Sequence, residues 1–255
     1  MPPWSTDGRQ VTDPMDVVLV GGGPDTTRSR ACVAPFVAAC RVRGATRIGV
    51  LLVGDRSSAN HFAPAYLELL AGTDAVLDVV ALDEGPGDPS RFDAVVVGGG
   101  PTPAYHDALT PVMATVRAMV RAGVPYLGFS AGAMVAAERA IVGGYVCNGV
   151  PVCSPEWSEG LEEVTVRHGI GVVPWSVEVH AAQAGTLGRA IVSTAAGAIP
   201  SAVALDEDTA LHVGRSGDPT VLGSGRAWWM SRDGEDLRMT VATAQAGTAS
   251  VPGRR

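Results

Sequence analysis

Charge is scarce in this sequence: Asp, Glu, Lys and Arg make up 18% of its 255 residues. The balance is acidic, with 26 carboxylates against 19 basic residues and a net charge of −7. Such a chain has no electrostatic means of drawing in nucleic acid or an anionic membrane, and neither partner is expected. No apolar run is long enough, and free enough of charge and glycine, to span a bilayer. Residues 1–16 carry no basic segment followed by an apolar core, so no secretory signal is visible and a cytoplasmic setting is expected. There are only four cysteines, Cys32, Cys40, Cys147 and Cys153, without CxxC spacing or a paired histidine cluster. That spacing argues against zinc and against a disulfide framework, and leaves buried free thiols. Internal repeats and low-complexity blocks are lacking too. So is a dinucleotide fingerprint, because Thr26 stands where a GxGxxG begun in Gly21-Gly22-Gly23 would need its third glycine.

What is abundant points one way. Apolar residues reach 46%, and glycine and alanine are frequent, as suits a closely packed α/β enzyme with tight turns. The length fits one sizeable core, and nothing in the middle suggests a seam. We expect an unstructured lead-in at 1–15, one catalytic domain over 16–245 and an unstructured tail from 246. Apolar strands are expected at 17–20, 47–53, 76–82, 92–97 and 124–129. Helices are expected at 29–43, 64–71, 105–122 and 131–140, with a polar loop at 54–61. Strand and helix alternating with short connections predict a mostly parallel sheet covered by helices on both faces, a three-layer α/β sandwich. Residues 141–166 change character to irregular loop and hairpin, and 220–245 fit a small antiparallel C-terminal extension.

The stretch that organises the chain is Gly128-Phe129-Ser130-Ala131-Gly132, a Gly-x-Ser-x-Gly turn between an apolar run and an alanine-rich helix. A serine on so sharp a turn has its Oγ pushed outward, and Gly128 and Gly132 let strand and helix cross closely beneath it. The Ala131 amide, at the helix start, is a candidate oxyanion donor. Gly98-Gly99-Gly100 ends another strand in bare backbone, either a flexible turn or a second place where amides meet an oxyanion; Gly100 is the candidate donor, with Gly99 beside the substrate. His180 stands at a strand-to-helix junction, before a helix expected to start near Gln183, where a general base is needed; a structural histidine is the plainer reading. Asp206, Glu207 and Asp208 interrupt two short apolar strands, and a carboxylate buried there needs a partner such as a histidine N–H. Arg56 and Asn60, in the loop after the second strand, are substrate-binding candidates, with solvated loop residues as the plainer reading. The acidic cluster Glu156, Glu159, Glu162 and Glu163 reads as a solvated surface or as a site for a basic substrate group.

Taken together, Gly98-Gly99-Gly100, the elbow through Ala133, Glu178-Val179-His180 leading to Leu187-Gly188-Arg189, and Leu205 to Ala210 resemble the serine peptidases that include peptidase E, an aspartyl dipeptidase, and cyanophycinase. The match runs over about 16–215. It implies a fold similar to class I glutamine amidotransferases, no cofactor, Ser130 as nucleophile and His180 as base. By likeness to cyanophycinase it implies Glu207 as the acid; by likeness to peptidase E, whose acid comes from the stretch between serine and histidine, Glu156 is in reserve. The implied reaction is hydrolysis of a peptide or isopeptide amide in a small peptide or amino-acid amide, and the fold is compatible with a homodimer. The departures concern recognition. Glu178-Val179 replaces the Asp-Gln that precedes the histidine in cyanophycinase-like chains, and Ala184 and Thr186 stand where arginines are expected, which leaves Glu178 and Arg189 as substrate-side candidates. Pro101 follows the triple glycine and removes an amide donor. The competing readings are an esterase using His212 as base and a catalytically silent protein that keeps the pocket for a small ligand.

Overall fold

A computed structural model describes residues 15–214 and 216–244. The expected unstructured ends, Met15 apart, lie outside these residues, as does Gln245. In chain order the elements are β1 (Val17–Val20), α1 (Ala34–Arg43), β2 (Arg47–Leu52), α2 (Arg56–Leu69), β3 (Val76–Ala81), β4 (Ala94–Val97), α3 (Thr102–Leu109), α4 (Met113–Arg121), β5 (Tyr126–Phe129), α5 (Ala131–Val135), β6 (Arg139–Gly143), β7 (Val146–Cys147), β8 (Val150–Pro151), β9 (Thr165–His168), β10 (Ser176–Glu178), α6 (Leu187–Ala195), β11 (Ser201–Leu205), β12 (Thr209–Val213), β13 (Pro219–Gly223), β14 (Arg226–Asp233) and β15 (Asp236–Thr243).

The main sheet has seven strands in the order β13-β12-β1-β5-β4-β2-β3. β1, β5, β4, β2 and β3 run parallel, and β12 joins β1 antiparallel with Val20 opposite Ala210. Every residue of β1, β4 and β5 is buried, which is why these strands are apolar throughout instead of alternating. One face packs on Phe36 and Cys40 of α1 and Ala59, Ala63 and Tyr66 of α2. The other packs on Leu109 of α3, Val116 and Val120 of α4, Met134 of α5 and a second sheet. That second sheet, β10-β11-β14-β15, is antiparallel except for β10 and β11, and its Val177, Val203 and Trp229 belong to the same core as Leu19 and Leu211 of the main sheet.

Four expectations are corrected. Residues 56–61 are helix, not loop: Asp55 accepts the Ser58 N–H at 2.8 Å and caps α2, and Pro64 lies inside that helix rather than opening one. The helix expected at 105–122 begins at Thr102 and passes through a 3-10 turn at Thr110–Val112, where Pro111 has no N–H to continue the ladder. The elbow helix expected to reach 140 stops at Val135, and residues 139–143 become β6, paired with β9. The helix expected to start near Gln183 begins at Leu187.

Candidate active site

The carboxyl edges of β1, β5 and β4 lie side by side, and each delivers one part of the site. β5 ends at Ser130, whose backbone is held at φ 46° and ψ −108°. Its amide donates to Val20 O at 3.0 Å, and Gly132 N–H donates to Gly98 O at 3.0 Å, pinning the elbow to both neighbouring strands. A Cβ on Gly128 would come within 2.5 Å of Gly132 O, and one on Gly132 within 2.2 Å of Val97 O. The close crossing thus admits only glycine at these two positions.

His180 follows β10 at φ 53°, and its amide donates to Gly21 O at 2.8 Å, tying the second sheet to the end of β1. Its Nε2 lies 3.0 Å from Ser130 Oγ, and its Nδ1 lies 2.7 Å from Glu207 Oε1. An ionised carboxylate can only accept, so the ring proton belongs on Nδ1 and Nε2 is left to accept from the serine hydroxyl. Glu207 sits in the connection from β11 to β12, and its own N–H is held by Gln183 Oε1 at 2.9 Å. The Trp157 ring lies over His180 with centroids 5.1 Å apart.

Gly99 and Gly100 complete the floor. Gly99 packs so near Ser130 that a Cβ would stand 3.1 Å from the serine Cβ. Its backbone is clamped on both sides by two buried phenols: Gly99 N–H donates to Tyr66 Oη at 2.8 Å, and Tyr105 Oη donates to Gly99 O at 3.2 Å. Burial raises the pKa of both phenols, with Asp25 adding to the effect at Tyr66 and Tyr66 adding to it at Tyr105. Among the described residues, the N–H groups of Gly100 and Ala131 donate to no protein acceptor. Ser130, His180, Glu207, Gly99 and Gly100 all line one cavity of about 500 Å³, with Tyr66, Trp157, Asp25, Glu156 and Glu159.

The sequence pattern of peptidase family S51 matches residues 88–217, a span that contains the glycine loop, the elbow, His180 and Glu207. The chain belongs to peptidase family S51. Solved structures that share the fold of this S51 peptidase include the following two. A peptidase from an acI-B1 Actinobacterium superposes with a TM-score of 0.67 at 16% identity, over 93% of this chain and 97% of that one. A provisional peptidase E from Listeria monocytogenes EGD-e gives 0.52 at 14% identity, over 90% and 99%. No curated protein sequence matches significantly.

Four of the substrate-binding candidates lie away from the cavity of the S51 peptidase. Arg56 is an exposed partner of Glu84 at 2.8 Å beside the edge strand β3, and Asn60 is on the exposed side of α2. Glu178 and Arg189 form an ion pair at 2.7 Å with side chains 0% and 2% exposed, closed off from any substrate. Arg189 also donates to Trp157 O at 2.8 Å and Gly144 O at 3.0 Å, so it positions the wall of the cavity instead of its contents. Burial works against the guanidinium charge, but the Glu178 carboxylate outweighs it and raises the pKa. Asp206, the most buried of the three carboxylates near β11, is held by Trp228 Nε1 and the Arg226 and Ala182 amides, not by histidine. Asp208 caps the Arg28 and Ser29 amides. Glu156 lines the cavity but makes no bond to His180. His212 is paired with Asp16 at the opposite edge of the sheet from Ser130, which removes the esterase reading based on it. Tyr66, Tyr105, Gln183 and Trp157 carried no motif that would have singled them out.

Proposed function

We propose that this S51 peptidase hydrolyses an amide bond in a short peptide through an acyl-enzyme on Ser130. The observation that carries the reading is the hydrogen-bonded line from Ser130 Oγ through His180 to Glu207, built on an elbow that leaves the hydroxyl facing the cavity. His180 Nε2 takes the hydroxyl proton as Oγ attacks the carbonyl carbon; Glu207 keeps the imidazole in its tautomer and stabilises the cation that forms. The unengaged amides of Ala131 and Gly100 are placed to receive the oxyanion. Collapse breaks the C–N bond, with the proton passing from Nε2 to the departing amine. A water molecule then gives a proton to Nε2 and attacks the ester carbon; the C–O bond to Ser130 breaks as that proton passes from Nε2 to Oγ, which frees the acid and restores the hydroxyl. The cavity volume suits a dipeptide or amino-acid amide better than a folded protein.

A dipeptide panel including α- and β-linked Asp-X and Glu-X and basic X-Y pairs tests this. Hydrolysis that disappears in Ser130→Ala and falls about 10³–10⁴-fold in Glu207→Gln is expected. Hydrolysis undiminished in Ser130→Ala would refute it.

A further inference from the structure

The cavity around Ser130 is lined by four carboxylates, Asp25, Glu156, Glu159 and Glu207, and, among the described residues, by no arginine; the chain contains no lysine at all. Glu207 is committed to His180. The other three have no ion-pair partner among the described residues: Glu159 accepts only from Thr102, and the nearby Arg189 is already bound to Glu178. Carboxylates of like charge around one space give it a negative potential that attracts a cation. Trp157 adds a second, independent feature. The residue is 37% exposed, yet it belongs to this wall, where Arg189 holds its carbonyl and its ring lies against His180, so part of an aromatic side chain borders the same space as the carboxylates. Carboxylates and a part-exposed indole together suit an ammonium or guanidinium group.

We infer that the substrate presents a basic residue on the acyl side of the cleaved bond, opposite in charge to the acidic residue that likeness to peptidase E implies. The acyl half is the part that stays joined to Ser130 inside this cavity, so its side chain lies among Asp25, Glu156 and Glu159 throughout the reaction. This inference rests on the acyl-enzyme reading.

Phosphonylation of Ser130 tests it without knowledge of the natural peptide. Three N-acetylated diphenyl aminoalkylphosphonates, with side chains ending in ammonium, methyl or carboxylate, are compared by second-order rate on the whole protein. At low salt the ammonium probe is expected to react at least about tenfold faster than the carboxylate probe, the ratio shrinking as ionic strength rises. Asp25→Asn and Glu156→Gln, which replace exposed side chains, are each expected to reduce that ratio. Equal rates, or a faster carboxylate probe, would overturn the inference and leave the serine chemistry standing. No reaction with any of the three would instead overturn the acyl-enzyme reading, and this inference with it.

Discussion

Ser130 and His180 both have positive φ, at 46° and 53°, and neither is glycine. Non-glycine residues held in such conformations cost of order 1–3 kcal/mol each, a cost tolerated where surrounding structure fixes a functional geometry. Replacing the serine with glycine removes both the hydroxyl and the strain. Ser130→Gly is therefore expected to abolish hydrolysis and raise unfolding stability by about 1 kcal/mol, measured by urea titration. Glu159 gives a pH-dependent counterpart. Burial raises its pKa, with the Thr102 N–H pulling the other way, so the folded state favours the protonated form. A carboxyl whose pKa is raised on folding adds stability below its ordinary value, near 4.5, and loses it as pH rises through the folded value. Glutamine keeps the acceptor for Thr102 and never ionises. Glu159→Gln should thus be more stable than the parent at neutral pH, with the difference vanishing by about pH 4; a constant difference across this range would contradict the assignment.

At the scale of elements, the wall of the cavity hangs on a buried ion pair. Arg189 projects from α6 to Glu178 at the end of β10, and the same guanidinium holds the Trp157 carbonyl in the segment between β8 and β9. Arg189→Met would leave Glu178 buried and unpaired, costing about 3–5 kcal/mol. The double variant Arg189→Met with Glu178→Gln is expected to regain much of that stability, but not the placement of Trp157, so its catalytic efficiency should stay low while its urea midpoint recovers. The elbow shows what the sequence made legible at this scale and what it hid. Gly128 and Gly132 announce their crossing because only backbone fits there. The end of α5 was not legible, since an alanine run favours helix locally while residues 139–143 gain more by pairing with β9. Arg56 and Asn60 were misplaced for a related reason: the Asp55 cap that starts α2 resembles a polar loop when read alone.

Over the whole molecule, the three residues of the site come from different units. Ser130 ends a strand of the main sheet, His180 ends a strand of the second, and Glu207 sits in the connection between the two sheets. The order of strands along the chain is readable from apolar runs and glycine-rich ends. The second sheet is not, because nothing local says that β10 will lie parallel to β11 rather than extend the main sheet. Tyr66 and Tyr105 were hidden similarly, reaching Gly99 from α2 and α3 across sequence distances no pattern marks. Since one core joins both sheets, loss of Ser130 reactivity and loss of tryptophan fluorescence are expected to coincide along a urea titration; two separated transitions would show that the sheets unfold apart. The central claim is tested most directly by treating the folded protein with a fluorophosphonate and locating the adduct by peptide mass spectrometry. The account predicts a single adduct on Ser130, absent in Ser130→Ala and strongly slowed in His180→Ala. Adduct on another residue, or none on Ser130 in protein that remains folded, would contradict it.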